Sequence, residues 1–357
     1  MNKIERIRQR LHEESIDALL VTNPYNRRYM ANFTGTAGVV FITKEEALFI
    51  TDFRYVEQAT EQAVGYTVVE QRRTVVEQVA DEVVRLGVRT LGFEKDHMTY
   101  GEFEIFEEYV DAMLVPVSGW VEQLRLIKTE DELAILQRAA DIADETFEHI
   151  CTYIRPGVSE LDVANEMERY MRSLGATQSS FDSIVASGVR GALPHGVASD
   201  KLIEEGELVT LDFGALYNGY ISDITRTVAV GEPSEQMKEV YEIVLAAQKR
   251  GVEQIRPGMK ASEADQVVRD VIVEKGYGEA FGHSTGHGIG LEVHEMPALS
   301  SRNDTVLQCG MTVTVEPGIY LPGIGGVRIE DDIVLTETGN RRLTKSSKEL
   351  RILPTTL

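Results

Sequence analysis

The sequence predicts an α/β N-terminal domain followed by an α+β domain built from two duplicated halves. Three observations lead there. At 357 residues the chain exceeds one average core, so two domains are expected. Helical and strand patterns alternate through the first 125 residues. Beyond them, the tetrapeptide Ile154-Arg155-Pro156-Gly157 returns as Ile255-Arg256-Pro257-Gly258 with matching flanks.

The elements follow in order. A charged amphipathic helix is expected near residues 2–14, then a strand over Ile16–Thr22. GVVFITKEEALFITDFRY reads as a hairpin turning at Lys44-Glu45-Glu46. Helices are expected around Tyr55–Ala63 and Val75–Leu86, then a strand in TLGFEK and a helix near Tyr100–Val110. A boundary falls just after Trp120-Val121-Glu122, giving domains 1–125 and 126–357. Thr129 with Glu132 three residues on is a capping-box pattern, and its helix should run to about Tyr153 before Pro156-Gly157 stops it. Each IRPG is preceded by a long amphipathic helix. It is followed by a glycine-terminated one, SELDVANEMERYMRSLGA or ASEADQVVRDVIVEKGYG. Such a repeat implies two similar halves with a cleft between them.

Composition excludes several classes. A formal charge of −22 leaves no basic stripe for nucleic acid. No apolar run spans a membrane, and MNKIERIRQRLHEE is a charged helix, not a signal peptide. Cys151 and Cys309 form no metal motif or disulfide framework, so a reducing cytoplasm is expected.

The chemistry concentrates in the last third, where Asp212, Asp223, His287, Glu316 and Glu330 interrupt apolar or glycine-rich stretches. A carboxylate in a β-branched strand is costly to bury without a positive partner. Asn218-Gly219 is a two-residue hairpin signal. That turn pairs Asp212 with Thr225 and Asp223 with Gly214, so both aspartates project from one face as diagonal neighbours, about 7–8 Å apart. His283, His287 and His294 crowd into GHSTGHGIGLEVHE, whose glycines argue against a zinc-binding helix and for a loop bringing backbone close to a ligand. Glu316 ends the strand MTVTVEPG. In GGVRIEDDIVL, Arg328 and Glu330 are expected to share one strand face, as a surface salt bridge or a functional pair. Four carboxylates and an imidazole suit two divalent ions such as Mn²⁺, Co²⁺, Fe²⁺ or Zn²⁺, and the implied reaction is metal-assisted hydrolysis.

These residues resemble the metallopeptidase family of methionine aminopeptidase, aminopeptidase P and prolidase, the pita-bread fold, over about residues 126–357. The aspartate pair, His287 in GHGIG, Glu316 in VEPG and Glu330 in VRIED carry the likeness. The first 125 residues, with RRYMANFTG and ITDFRY, resemble the creatinase-like domain of the Xaa-Pro peptidases, which implies proline-containing peptides as substrates. By that resemblance, Asp223 and Glu330 bridge two metal ions, most simply manganese. Asp212 completes one coordination sphere, and His287 and Glu316 complete the other. Glu316 also relays a proton to the leaving nitrogen. His195 and His294 hydrogen-bond the substrate carbonyl and the developing oxyanion. His283, Tyr320 and Arg328 line the proline wall or support the ligands. A homodimer is implied as well. Prolidase-like sequences often carry arginine four residues after the histidine of the HE-x-P segment. Here that position is Ala298, which tilts the expectation toward an Xaa-Pro aminopeptidase, with a dipeptidase as the alternative. A metal-free creatinase or a non-catalytic binding protein would leave the five ligand-type residues without a purpose.

Overall fold

The computed structural model describes residues 2–355. The chain separates into two compact units, Met1–Arg125 and Leu126–Leu357.

The N-terminal unit opens with α1 (Lys3–Glu13), β1 (Ala18–Val21), α2 (Pro24–Ala31), β2 (Val39–Thr43) and β3 (Ala47–Thr51). Then come α3 (Val56–Gln62), β4 (Thr67–Glu70), α4 (Val75–Leu86), β5 (Thr90–Glu94), α5 (Tyr100–Tyr109), β6 (Met113–Val117) and α6 (Glu122–Arg125). Its sheet runs β4-β3-β2-β1-β5-β6. The β2–β3 pair is the expected hairpin, and α4 and α5 each start on a complete capping box, Thr74/Glu77 and Thr99/Glu102. Besides the one-turn α6, three elements go beyond the sequence expectation. Helix α2 starts on an Asn23 cap with Pro24 at its first turn. Strands β4 and β6 lie on the sheet edges, where burial is only partial and the alternation that marks a strand fades.

The second unit contains α7 (Glu130–Ile150), α8 (Glu160–Ser173), β7 (Gln178–Ser179), β8 (Ile184–Ser187) and β9 (Leu208–Phe213). Next are β10 (Ala215–Tyr217), β11 (Tyr220–Ile221), β12 (Ile224–Val230), α9 (Glu235–Gln254), α10 (Ala261–Glu274), β13 (Gly286–Gly288) and β14 (Glu295–Leu299). It ends with β15 (Thr312–Val315), β16 (Gly318–Leu321), β17 (Gly325–Arg328), β18 (Asp331–Thr336), β19 (Gly339–Arg342) and β20 (Ile352–Leu353). Thr129 caps α7 with Glu132 in the expected box. Among the described residues, no helix is long and apolar enough to cross a membrane.

The duplication is visible in the hydrogen bonds. After the first IRPG, Gly157 N–H donates to Ile203 O (2.9 Å) and Ile203 N–H to Val158 O (2.9 Å). After the second, Gly258 N–H donates to Leu307 O and Leu307 N–H to Met259 O, both at 2.8 Å. In each half the turn is closed by a segment farther along, and a helix leaves it. Helices α7 and α8 share one apolar core with the sheet β20-β12-β9-β8, whereas α9 and α10 share another with β14-β13-β15-β18-β19.

The hairpin register is the expected one. Asn218 and Gly219 form the turn at positive φ (45° and 82°), Tyr217 pairs with Tyr220, and Thr225 pairs with Asp212. The first strand is interrupted at Gly214, between β9 and β10, where only glycine fits because a Cβ would run into the Ser222 carbonyl and the Ser180 hydroxyl. The tip thereby leaves the main sheet and joins β7. Two expectations are corrected. GHGIG is no free loop. Gly286–Gly288 is strand β13, and its glycines admit the Thr314 and Met296 carbonyls rather than a ligand. Arg328 and Glu330 do not share a strand, since the chain changes sheets at Ile329-Glu330, between β17 and β18.

A buried ionic knot holds β12 to β18. Asp331, fully buried, accepts from Arg226 (2.8 Å), Lys348 (2.7 Å), Gln248 (3.0 Å) and Thr344 (3.0 Å). Burial pushes its carboxyl up, but Arg226 and Lys348 outweigh this and hold it below the ordinary range. Arg226→Met leaves Asp331 with Lys348 and Arg342 but removes its closest guanidinium and the donors to the Ser346 and Ser347 carbonyls. We expect a loss of about 3–5 kcal/mol in urea denaturation, and a loss below about 1 kcal/mol would show that the knot is dispensable.

Candidate metal centre

Both halves send acids to one cavity of about 1070 Å³. The first supplies Asp212 from β9 and Asp223 from the break before β12. The second supplies His287 from β13, Glu316 just after β15 and Glu330 just before β18. Asp223, His287 and Glu330 each place a potential ligand atom within 4.8 Å of the other two. Glu316 Oε1 lies 3.3 Å from His287 Nε2, and Asp223 Oδ2 lies 3.7 Å from it.

Hydrogen bonding fixes what these atoms can be. His287 Nδ1 lies 3.0 Å from the Gly288 carbonyl, an acceptor, so that nitrogen carries the proton. Burial lowers the ring's pKa to about 4, so it is neutral at pH 7. Its Nε2 lone pair therefore faces carboxylate lone pairs. Acceptors facing acceptors need something positive between them. Asp212 Oδ1, Asp223 Oδ1 and Glu330 Oε1 are buried with no hydrogen-bond partner. Burial, then Glu330 and Asp212, push the Asp223 carboxyl well above its ordinary range. Burial and Glu316 do the same to Glu330, and burial lifts Glu316 to about 8. This donor set, rich in oxygen with one imidazole and no thiolate, fits hard or borderline divalent cations.

Around the acids runs a directed chain of hydrogen bonds. Arg328 donates to Asp212 Oδ2 (2.5 Å), to the Tyr320 hydroxyl (2.8 Å) and to Thr225 Oγ1 (3.2 Å). Tyr320 in turn donates to His283 Nε2 (2.8 Å), because His283 Nδ1 is used on the Ser284 carbonyl (2.8 Å). Burial raises the Tyr320 hydroxyl to about 12 and lowers His283 to about 4, so both stay neutral at pH 7. Arg328 is thus the counter-ion of Asp212, not of Glu330. His195 and His294 are exposed and line the same cavity, His294 edge-on to His287 with centroids 4.4 Å apart.

Several residues here escaped the sequence reading. Thr225 donates to Glu330 Oε2 (2.6 Å), and the hairpin register that sets it opposite Asp212 was the available signal. Thr314 accepts from His287 N–H and donates to Glu316, both at 3.1 Å. Asp332 accepts the Asp223 amide (2.9 Å), and burial pushes its own carboxyl well up.

The profile of Metallopeptidase family M24 matches residues 134–337, and that of the Creatinase/Prolidase N-terminal domain matches residues 3–127. A solved Xaa-Pro dipeptidase from Bacillus anthracis is 63% identical with a TM-score of 0.97, over 98% of this chain and 99% of that one. The Xaa-Pro dipeptidase of Pyrococcus furiosus is 44% identical over 357 residues, 98% of this chain and 99% of its own. An X-Pro aminopeptidase structure from Thermotoga maritima is 40% identical with a TM-score of 0.91, over 98% and 100%. The chain belongs to metallopeptidase family M24, with a creatinase-type N-terminal domain and a pita-bread C-terminal domain. It is therefore an enzyme class that works with divalent metal.

Like-charge crowding gives a signed prediction for metal-free protein. An aspartate with a raised folded pKa carries a penalty that is absent below its unfolded value of about 3.9 and grows as pH rises toward the folded one. In chelator, Asp223→Asn should therefore raise the melting temperature by a few degrees, roughly 1 kcal/mol, and more at pH 8 than at pH 5. Added Mn²⁺ should reverse the order by stabilising the parent and not the variant. A variant that melts below the parent in chelator, yet gains equally from Mn²⁺, would contradict a shared acidic cluster.

Proposed function

We propose that this protein is an Xaa-Pro dipeptidase, hydrolysing the bond before a C-terminal proline. The observation that carries the hydrolytic reading is the cluster of buried, unpartnered carboxylate oxygens around a neutral imidazole on the cavity floor. The dipeptidase choice draws its support from near-full-length relatives of that name at 63% and 44% identity. It reverses the tilt that Ala298 gave. Ala298 is an exposed residue of the cavity wall, and one missing cation there leaves His195 and His294 facing the same space.

In this reading Asp223, Glu330, Asp212, His287 and Glu316 hold two divalent ions. The chemistry such ions supply is polarisation of the scissile carbonyl and acidification of water. Protein groups do the remainder. Glu316 moves a proton toward the leaving proline nitrogen. His195 and His294 donate to the carbonyl oxygen as its negative charge develops. Arg328 locks Asp212 in place, and the Tyr320–His283 pair locks Arg328. Manganese and a homodimer join the reading on family resemblance. A reducing compartment joins it on the two free cysteines, Cys151 and Cys309.

An Xaa-Pro aminopeptidase is the second reading, favoured by Ala298 and by the Thermotoga maritima neighbour. Purified protein reconstituted with Mn²⁺ separates the two. Gly-Pro or Met-Pro should be cleaved with kcat/KM about tenfold or more above Met-Pro-Gly, a difference of roughly 1.4 kcal/mol. Equal or faster cleavage of the tripeptide would give the aminopeptidase reading the function. Glu330→Ala should reduce turnover to background without unfolding the protein by circular dichroism, and near-parental turnover would remove Glu330 from the ligand set.

A further inference from the structure

We propose that Glu295, neutralised by Lys128, is the positioning residue that fixes His294 over the cavity. The inference rests on the role just assigned to His294. Glu295 and Lys128 form a buried ion pair (3.0 Å), with their side chains only 7% and 2% exposed. The pair joins residues 167 positions apart. A carboxylate so deep is retained only when charge and hydrogen bonds both satisfy it. Lys128 supplies the charge. The hydrogen bonds come from the loop that carries the histidine, as Leu291 N–H (2.8 Å) and Glu292 N–H (3.2 Å) both donate to Glu295 Oε1.

The loop is built around that carboxylate. It spans residues 289–294, between β13, which bears His287, and β14, which Glu295 opens. Gly290 leaves room for the carboxylate, since a Cβ there would stand 2.7 Å from both Glu295 oxygens. The Gly290 carbonyl also accepts from Ile221 N–H (2.9 Å), which ties the loop to the hairpin leading into Asp223. His294 is exposed, yet its ring stands edge-on to His287 at 4.4 Å. An exposed ring gets its direction from its backbone, and Glu295 anchors that backbone from below. Without the anchor, His294 keeps its chemistry and loses its aim. A misplacement of about 1 Å can cost about 100-fold in rate.

A double-mutant cycle tests this. The parent, Glu295→Gln, His294→Ala and the double variant are compared on Gly-Pro at saturating Mn²⁺, with bound metal counted for each. Glu295→Gln should lower kcat about 10- to 100-fold, leaving KM within about twofold and the metal content unchanged. In the His294→Ala background the same change should cost less than about twofold, because there is nothing left to aim. Additive losses would assign Glu295 a general structural role and overturn the proposal. Parental kcat in Glu295→Gln, with a large loss in His294→Ala, would overturn it too and leave the assigned function standing. Parental kcat in His294→Ala would instead refute the role of His294 itself. Should Glu295→Gln fold poorly beside the Lys128 charge, Glu295→Met/Lys128→Met removes both charges and the acceptor of the two loop amides and carries the same cycle.

Discussion

Buried negative charge is the constraint on which the catalytic unit is organised. Asp212, Asp223, Glu330, Asp331 and Asp332 are all buried where β9 and β12 of one sheet meet β18 of the other. Each has a different solution. Asp331 takes three permanent cations, Arg226, Lys348 and Arg342, and is a structural knot. Asp212 takes Arg328 on one oxygen and keeps the other free. Asp223 and Glu330 take no lysine or arginine within salt-bridge distance among the described residues, Asp223 having only the neutral His287 at 3.7 Å, and each retains an orphan oxygen. The contrast between Asp331 and Glu330 is instructive, because they are chain neighbours in the same environment. Three cations were available for one and no lysine or arginine for the other. A buried acid left this way either holds a proton, as its raised pKa implies, or binds a cation from solution.

The duplication explains how two such different halves meet the constraint together. In each, the IRPG turn is closed by a distant segment through equivalent hydrogen bonds, and two helices cover the outer face of the sheet. The inner faces are thereby left to face one another. The first half contributes acids from a hairpin, where cross-strand pairing sets their spacing. The second contributes from strand ends, at Glu316 and Glu330, where the chain crosses between sheets. Ends of strands can aim a side chain off the sheet normal, which a residue in mid-strand cannot do. That is how the two carboxylates of the second half, together with His287 from β13, converge on Asp212 of the β9–β12 ladder and on Asp223 just outside it.

Much of this was legible in the sequence because it is governed by local rules. Asn218-Gly219 determines a turn, the turn determines the register, and the register puts Thr225 opposite Asp212. Thr129 and Glu132 start their helix through contacts three residues apart. Where the reading failed, a distant residue decided. The glycines of GHGIG look like a ligand-binding loop until Thr314 and Met296 are seen to occupy the space. Arg328 and Glu330 look like one strand face until β17 and β18 enter different sheets. The Lys128–Glu295 pair leaves no local trace at all.

The split between dipeptidase and aminopeptidase is governed by the wall of the cavity, not its floor. A volume of about 1070 Å³ stands just above the roughly 300–1,000 Å³ usual for small-molecule sites, so size alone does not exclude a third residue. In the function proposed above, the floor acids would bear on bond cleavage, which both activities share. Arg328, the one arginine of the wall, already has its donors on Asp212, Tyr320 and Thr225. To release it for a substrate carboxylate would strand a buried aspartate, at a cost of several kcal/mol. A preference for the free proline carboxylate must therefore come from groups not committed to the floor. In the wall described, the exposed histidines His195 and His294 are the donors that answer to this. The same two groups would then orient the carbonyl and read the length of the peptide, so that specificity and rate are coupled through one pair of side chains.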